Sequence, residues 1–141
     1  MSYWEAIEYL PEKPTYALRI FPSWGKEYNK KSLKDSPFYL FVVEYTFDDL
    51  GPSDSIKERD VLFNKNLAEM IINDLDKNKL GIENLLIHCN LGKNRSPAVG
   101  IALNEIFNLG HDTNLLKQKY PGSNKYIYKI LKEVGESNHQ K

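Results

Sequence analysis

The residues most suited to catalysis stand in one short stretch, whose sequence is His88-Cys89-Asn90-Leu91-Gly92-Lys93-Asn94-Arg95-Ser96. Cys89 is the only cysteine of the chain, and Arg95 follows it with Gly92 between them. An arginine side chain can bind two oxygens of an oxyanion at once, and a glycine lets the backbone approach such a group closely. The pattern therefore predicts an anion site with a sulfur nucleophile beside it.

This stretch lies between a predicted short buried strand, Leu85–Ile87, and a predicted helix from about Ser96 to Leu109. At such a junction, backbone N–H groups and the positive end of the helix dipole attract anions. The same field favours thiolate over thiol, so we expect the pKa of Cys89 to fall below the ordinary value of about 8.5. Ser96 stands where its hydroxyl can donate a hydrogen bond to the sulfur.

The elements around this stretch follow from apolar patterning and from glycine and proline residues. We predict a short helix over 3–10, a strand over 15–21, an exposed loop over 22–37, a buried central strand over 38–47, a helix over 60–78, a short helix capped by Asp112 or Thr113, and a last helix from Ser123. The central strand is expected over 38–47 because that run is almost continuously apolar. The order predicts an α/β fold with a small, mostly parallel central sheet flanked by helices.

Composition limits the classes of partner and the compartment. The 141 residues predict one domain, 1–141, and the 41% hydrophobic and 27% charged residues predict a globular protein. Nineteen basic and nineteen acidic side chains cancel, so we expect neither nucleic acid nor a membrane as partner. A single cysteine excludes an intrachain disulfide, and the N-terminus lacks the regions of a signal peptide, so we expect a cytoplasmic location. No metal-ligand cluster stands out, and we expect no metal or cofactor.

A known family has the same arrangement of residues. His-Cys, five residues and then Arg-Ser resemble the signature loop of the protein tyrosine phosphatase superfamily, and the details resemble its compact dual-specificity branch. The resemblance is good over roughly 38–109, and the segments 95–99 and 120–131 are similar to those of small phosphatase-like proteins. It implies the dual-specificity phosphatase-like fold and the hydrolysis of phosphate monoesters, with phosphotyrosine and phosphoserine or phosphothreonine in proteins as the expected substrates.

The resemblance also implies a role for each residue of the loop. Cys89 would attack phosphorus and form a cysteinyl-phosphate, Arg95 would stabilise the equatorial oxygens, Ser96 would help the thiolate to leave, and His88 would support the loop through hydrogen bonds. The residues implied to bind the phosphate are Asn90, Leu91, Gly92, Lys93, Asn94 and Arg95.

The family chemistry also needs a carboxylic acid to protonate the leaving oxygen. In the resembled family this aspartate lies on a loop that follows a strand, upstream of the cysteine. The matching place is Phe47-Asp48-Asp49-Leu50, and we prefer Asp49, with Asp48 second. Asp54 and Asp60 are alternatives if the loop folds back.

Four other functions compete with this interpretation. Asn94 precedes the arginine as in RNA 5′-triphosphatases of the superfamily, and Lys93 is placed as in its inositol-lipid phosphatases. A phosphate-binding module without turnover would keep the loop but lack a functioning acid. A sulfur-transfer enzyme of the rhodanese type also holds a cysteine in an anion loop, although the position of Arg95 suits phosphate better.

Overall fold

The structure is a computed structural model that describes residues 1–24 and 30–139, so 25–29 of the predicted loop 22–37 lie outside the described residues. Three strands of these residues form one sheet: β1 (Thr15–Phe21), β2 (Tyr39–Thr46) and β3 (Asn84–His88). Both pairings are parallel, and the strand order is β2-β1-β3. The prediction of a small parallel sheet in an α/β fold is confirmed.

The central strand is β1, and the prediction that 38–47 forms a buried central strand is wrong. Every residue of β1 is buried, whereas β2 lies at an edge of the sheet with Leu40 45% and Val42 46% exposed. An apolar run indicates that a strand packs against other residues, but it does not indicate how many strands flank it. Here β1 has a strand on each side and helices against both of its faces.

Within the described part of the chain, five helices surround the sheet. They are α1 (Tyr3–Glu8), α2 (Lys65–Asn78), α3 (Arg95–Phe107), α4 (Thr113–Lys119) and α5 (Lys125–His139). The alternate β1 residues Tyr16, Leu18 and Ile20 pack in the main core with α2, α3 and α5, while Ala17 packs with Ala6 of α1 on the other face. Among the described residues, none of the helices is both long and apolar enough to cross a bilayer.

Capping side chains decide where several helices begin. The side chain of Asn64 accepts a hydrogen bond from the amide of Leu67, so α2 begins at residue 65 and not at the predicted residue 60. Phe63, just before this cap, is fully buried and packs edge-on against Phe47 at 4.8 Å between ring centroids. Asp112 caps α4 as predicted, through the amide of Leu115.

The path from β2 through α2 to β3 brings the candidate loop to the end of the sheet. The two strands are parallel, as predicted for a crossover unit, but β1 lies between them. The strand β3 ends at His88 and α3 begins at Arg95, so 89–94 form the turn between them. The proposed anion loop is therefore placed at a strand end and a helix start.

Candidate active site

The loop packs closely against the N-terminal residues. Gly92 has φ +76°, a conformation that favours glycine, and a Cβ atom there would lie 2.6 Å from both the carbonyl carbon of Met1 and the nitrogen of Ser2. The amide of Cys89 donates to the Met1 carbonyl at 3.2 Å, and the Met1 ammonium group donates to the Ile87 carbonyl at 3.1 Å. The first residues of the chain thus support the loop, a role that sequence reasoning missed.

Cys89 is buried as part of the main core, and its sulfur also contacts two polar groups. Its Sγ lies 3.3 Å from Ser96 Oγ and accepts a hydrogen bond from the amide of Gly92 at 3.2 Å. Burial raises the pKa of the thiol, but hydrogen bonds from Ser96, the charge of Arg95 and the Gly92 amide outweigh that effect and lower the pKa below its ordinary value. The direction is the one predicted, and it raises the share of the thiolate, which is the nucleophilic form.

Arg95 is buried at the start of α3, with 8% of its surface exposed, and its Nη1 donates to the Phe47 carbonyl at 3.0 Å. This bond connects the loop to the segment that precedes the two candidate acids. Within the described residues, no protein acceptor is paired with the amides of Leu91, Lys93 and Asn94. These amides are available to an anion, and the side chains of Leu91 and Lys93 are exposed.

Asp49 lies beside the loop, held by two asparagine side chains. Its Oδ2 accepts a hydrogen bond from Nδ2 of Asn94 at 2.6 Å, and its Oδ1 accepts one from Nδ2 of Asn124 at 2.8 Å. Asn124 also donates to the Leu50 carbonyl at 3.1 Å, accepts from the Ile127 amide at 3.0 Å, and donates its own amide to the Asn94 carbonyl at 3.0 Å. The preferred acid is therefore exposed and tied directly to the anion loop.

The carboxylate of Asp48 is hydrogen-bonded to two other segments of the chain. It is buried and accepts hydrogen bonds from the amides of Ser23 at 3.0 Å and Val61 at 2.7 Å. Burial raises its pKa, but these amides and the charge of Arg95 outweigh burial and hold the pKa below its usual value. Such a group stays ionised and joins two loops, which is a structural role that the sequence did not reveal.

The two remaining candidate acids accept hydrogen bonds from amides within their own turns. The carboxylate of Asp54 accepts a hydrogen bond from the amide of Gly51, and that of Asp60 accepts one from the amide of Lys57. Neither has a hydrogen bond to the anion loop among the described contacts. Of the four carboxylates considered from the sequence, Asp49 is therefore the one with a hydrogen bond to the anion loop among the described residues.

His88 is fully buried and holds the loop from inside the sheet. Its Nε2 is 2.9 Å from Nε of Arg19, and its Nδ1 is 3.3 Å from the carbonyl oxygen of Cys89. Sequence reasoning missed Arg19 and Asn124. The available signals were a charged residue inside the apolar strand β1 and an asparagine immediately before a helix.

A cavity of about 870 Å³ lies behind the loop, between α1, α3, α4 and the open edge of β3. Met1, Gly92 and Ser96 contribute to its lining, while Cys89 and Arg95 do not. Within 1–24 and 30–139, no three His, Cys, Asp or Glu side chains are grouped so that they could hold a metal ion.

The sequence has no significant match among protein-family models or curated proteins. Its structure is similar to that of the human tyrosine phosphatase-like serine/threonine/tyrosine-interacting protein, with a TM-score of 0.60 and 19% identity over 99% of this chain and 91% of that one. It is also similar to Tk-PTP in its active form, with a TM-score of 0.51 and 16% identity over 96% and 86%. The chain therefore has the tyrosine phosphatase-like fold that its loop implied.

Proposed function

We propose that this protein is a cysteine-dependent phosphatase that hydrolyses phosphate monoesters. The observation that carries the proposal is the environment of Cys89, whose sulfur contacts Ser96 Oγ and the Gly92 amide while the charge of Arg95 lowers the pKa of the thiol. A buried sulfur with a structural role alone would need no such polar contacts and would have an unperturbed or raised pKa. The similarity of the fold to tyrosine phosphatase-like proteins supports the same conclusion.

The reaction has two steps. The Cys89 thiolate attacks phosphorus, the bond from phosphorus to the leaving oxygen breaks, and Asp49 gives that oxygen its proton. Water then attacks the cysteinyl-phosphate, Asp49 takes a proton from the water, and the sulfur departs as a thiolate that accepts a hydrogen bond from Ser96. Arg95 and the loop amides stabilise the equatorial oxygens in both steps.

Hydrolysis of p-nitrophenyl phosphate tests the proposal. We expect Cys89→Ser and Arg95→Ala to reduce the rate to background, and vanadate to inhibit the wild type while a chelator leaves its rate unchanged. Ser53→Ala is the matched control, because Ser53 is exposed on a turn with no role in the site. Substantial turnover by the Cys89→Ser variant would reject the assignment of the nucleophile.

Phosphotyrosine in proteins is the substrate class that we place first, with phosphoserine and phosphothreonine next. Phosphopeptides, inositol phosphates and RNA with a 5′-triphosphate, assayed side by side, separate this class from the alternatives that Lys93 and Asn94 suggest. The highest kcat/KM identifies the substrate class. A preference for the RNA end would reject a protein substrate.

A second candidate is phosphate-dependent binding without turnover. Its support is Asp49, because the side-chain amides of Asn94 and Asn124 occupy both of its carboxylate oxygens, whereas a general acid must turn one oxygen towards the leaving group. The name of the human structural neighbour, a tyrosine phosphatase-like interacting protein, agrees with this possibility. Phosphopeptide binding by a wild type that releases no phosphate would favour this candidate over the phosphatase.

A further inference from the structure

Arg19 is a buried cation that the proposed reaction does not use. It stands in the central strand β1, in register with His88 of β3, and only 3% of its surface is exposed. Besides its contact with His88, it donates from Nη2 to the Lys31 carbonyl at 2.7 Å, and its Nη1 is 3.7 Å from Glu44 Oε2. Burying a charge is costly, so such a residue in the middle of a sheet calls for a specific explanation.

The contact between Arg19 and His88 determines which nitrogen of the imidazole carries a proton. A guanidinium has only donors, so Arg19 Nε donates to His88 Nε2, at 2.9 Å. Nε2 then accepts with its lone pair, and the proton of the neutral ring is on Nδ1. From there it is donated to the Cys89 carbonyl oxygen, 3.3 Å away. The two contacts thus form one directed chain from Arg19 to the Cys89 backbone.

The surroundings of the ring keep it neutral and in place. The charged or titratable groups facing it are the Arg19 guanidinium, the Met1 ammonium group and Tyr3. Burial, together with the charges of Arg19 and Met1, lowers the pKa of His88 to about 4. The rings of Tyr3 and Phe21 pack edge-on against the imidazole, with centroids 6.0 and 5.6 Å away.

We infer that Arg19 is a positioning residue for Cys89. By donating to Nε2 it fixes the His88 proton on Nδ1, and the ring then holds the Cys89 carbonyl in the orientation that lets Sγ contact Ser96 and the Gly92 amide. The inference rests on the proposed function only in taking Cys89 as the nucleophile. The tautomer and the reactivity of the thiol can both be measured without turnover.

The test begins with ¹⁵N-labelled wild type at pH 7, where NMR should show His88 neutral with its proton on Nδ1. In Arg19→Met, which removes the donor, we expect a mixture of tautomers. We also expect the pKa of Cys89, from the pH dependence of iodoacetamide alkylation, to rise by about 0.5 to 1 unit, the value of one hydrogen bond. At a pH below the pKa, alkylation should slow about three- to tenfold.

Two further variants separate this role from a general effect on folding. Arg19→Lys keeps a cationic donor and should shift the pKa of Cys89 less than Arg19→Met does. Glu44→Gln removes the half-exposed acidic partner of Arg19 but leaves its bond to His88, so it should keep the wild-type tautomer and alkylation rate.

A wild-type His88 protonated on Nε2 would overturn the inference, whether or not any variant folds. So would a folded Arg19→Met variant whose thiol pKa equals that of the wild type. If Arg19→Met does not fold, the wild-type tautomer decides: a His88 proton on Nδ1 supports the inference, and a proton on Nε2 overturns it. Absence of phosphatase turnover with the expected tautomer and pKa shifts would reject the proposed function but support the role of Arg19.

Discussion

Neighbouring aspartates, Asp48 and Asp49, should respond in opposite ways to the same substitution. Asp48→Asn should destabilise the protein with little specific effect on the chemical step, because this carboxylate joins two loops. Asp49→Asn should leave stability almost unchanged and slow the chemical step, because this carboxylate is exposed beside the anion loop. The pair therefore separates a structural carboxylate from a catalytic one within a single dipeptide.

The expected loss for Asp48→Asn follows from its two hydrogen bonds. The ionised carboxylate accepts amides at 2.7 and 3.0 Å, and a hydrogen bond to a charged group contributes about 1.5–3 kcal/mol. An asparagine keeps one acceptor oxygen but presents its NH₂ group to the other amide. We expect the free energy of unfolding to fall by about 2–4 kcal/mol, which lowers the urea midpoint by roughly 1–3 M.

The pH dependence provides a second measurement. Because the pKa of Asp48 is lowered in the folded protein, its contribution is present above the ordinary carboxyl value of 3.8 and is lost as the pH falls through the lower folded value. The stability difference between wild type and Asp48→Asn should therefore narrow below about pH 4. If the stability difference stays constant down to acid pH, the ionisation of Asp48 does not contribute to the stability of the protein.

For Asp49→Asn the assay is a series of aryl phosphates with different leaving groups. Removal of a general acid should slow hydrolysis by about a hundredfold or more when the leaving phenol is poor, and much less when it is p-nitrophenol. The free energy of unfolding should change by less than about 1 kcal/mol, as for substitutions at other exposed positions. Equal slowing across the series, or a larger stability loss than in Asp48→Asn, would refute the assignment of roles.

Two further predictions concern the loop itself. Gly92→Ala places a Cβ atom at a left-handed φ, 2.6 Å from Met1 and Ser2. We therefore expect the free energy of unfolding, measured in urea, to fall by about 2–5 kcal/mol. A fall below about 1 kcal/mol would show that the N-terminal residues do not pack there. Ser96→Ala removes a hydrogen bond to the thiolate, so the pKa of Cys89 in alkylation assays should rise by about 1–2 units. An unchanged pKa would contradict the contact between Ser96 Oγ and the Cys89 sulfur.

Some of the elements could be predicted because their signals are local. Asp112 caps α4 through the amide three residues ahead, and such caps depend only on neighbouring positions. The start of α2 was predicted too early because the apolar periodicity continues through Phe63, which packs in the core outside the helix. The prediction that β2 is the buried central strand is wrong for a related reason, because the burial of a strand depends on partners that lie elsewhere in the chain.

By itself, the sequence determined that Cys89 and Arg95 lie within one strand–turn–helix junction, because the geometry of that junction is set by neighbouring residues. Only the tertiary structure decided which carboxylate reaches it. Asp49 meets Asn94 across 45 positions of the chain and Asn124 across 75. Contacts over such separations depend on how strands and helices pack, and residue types and spacing along the chain do not specify that packing.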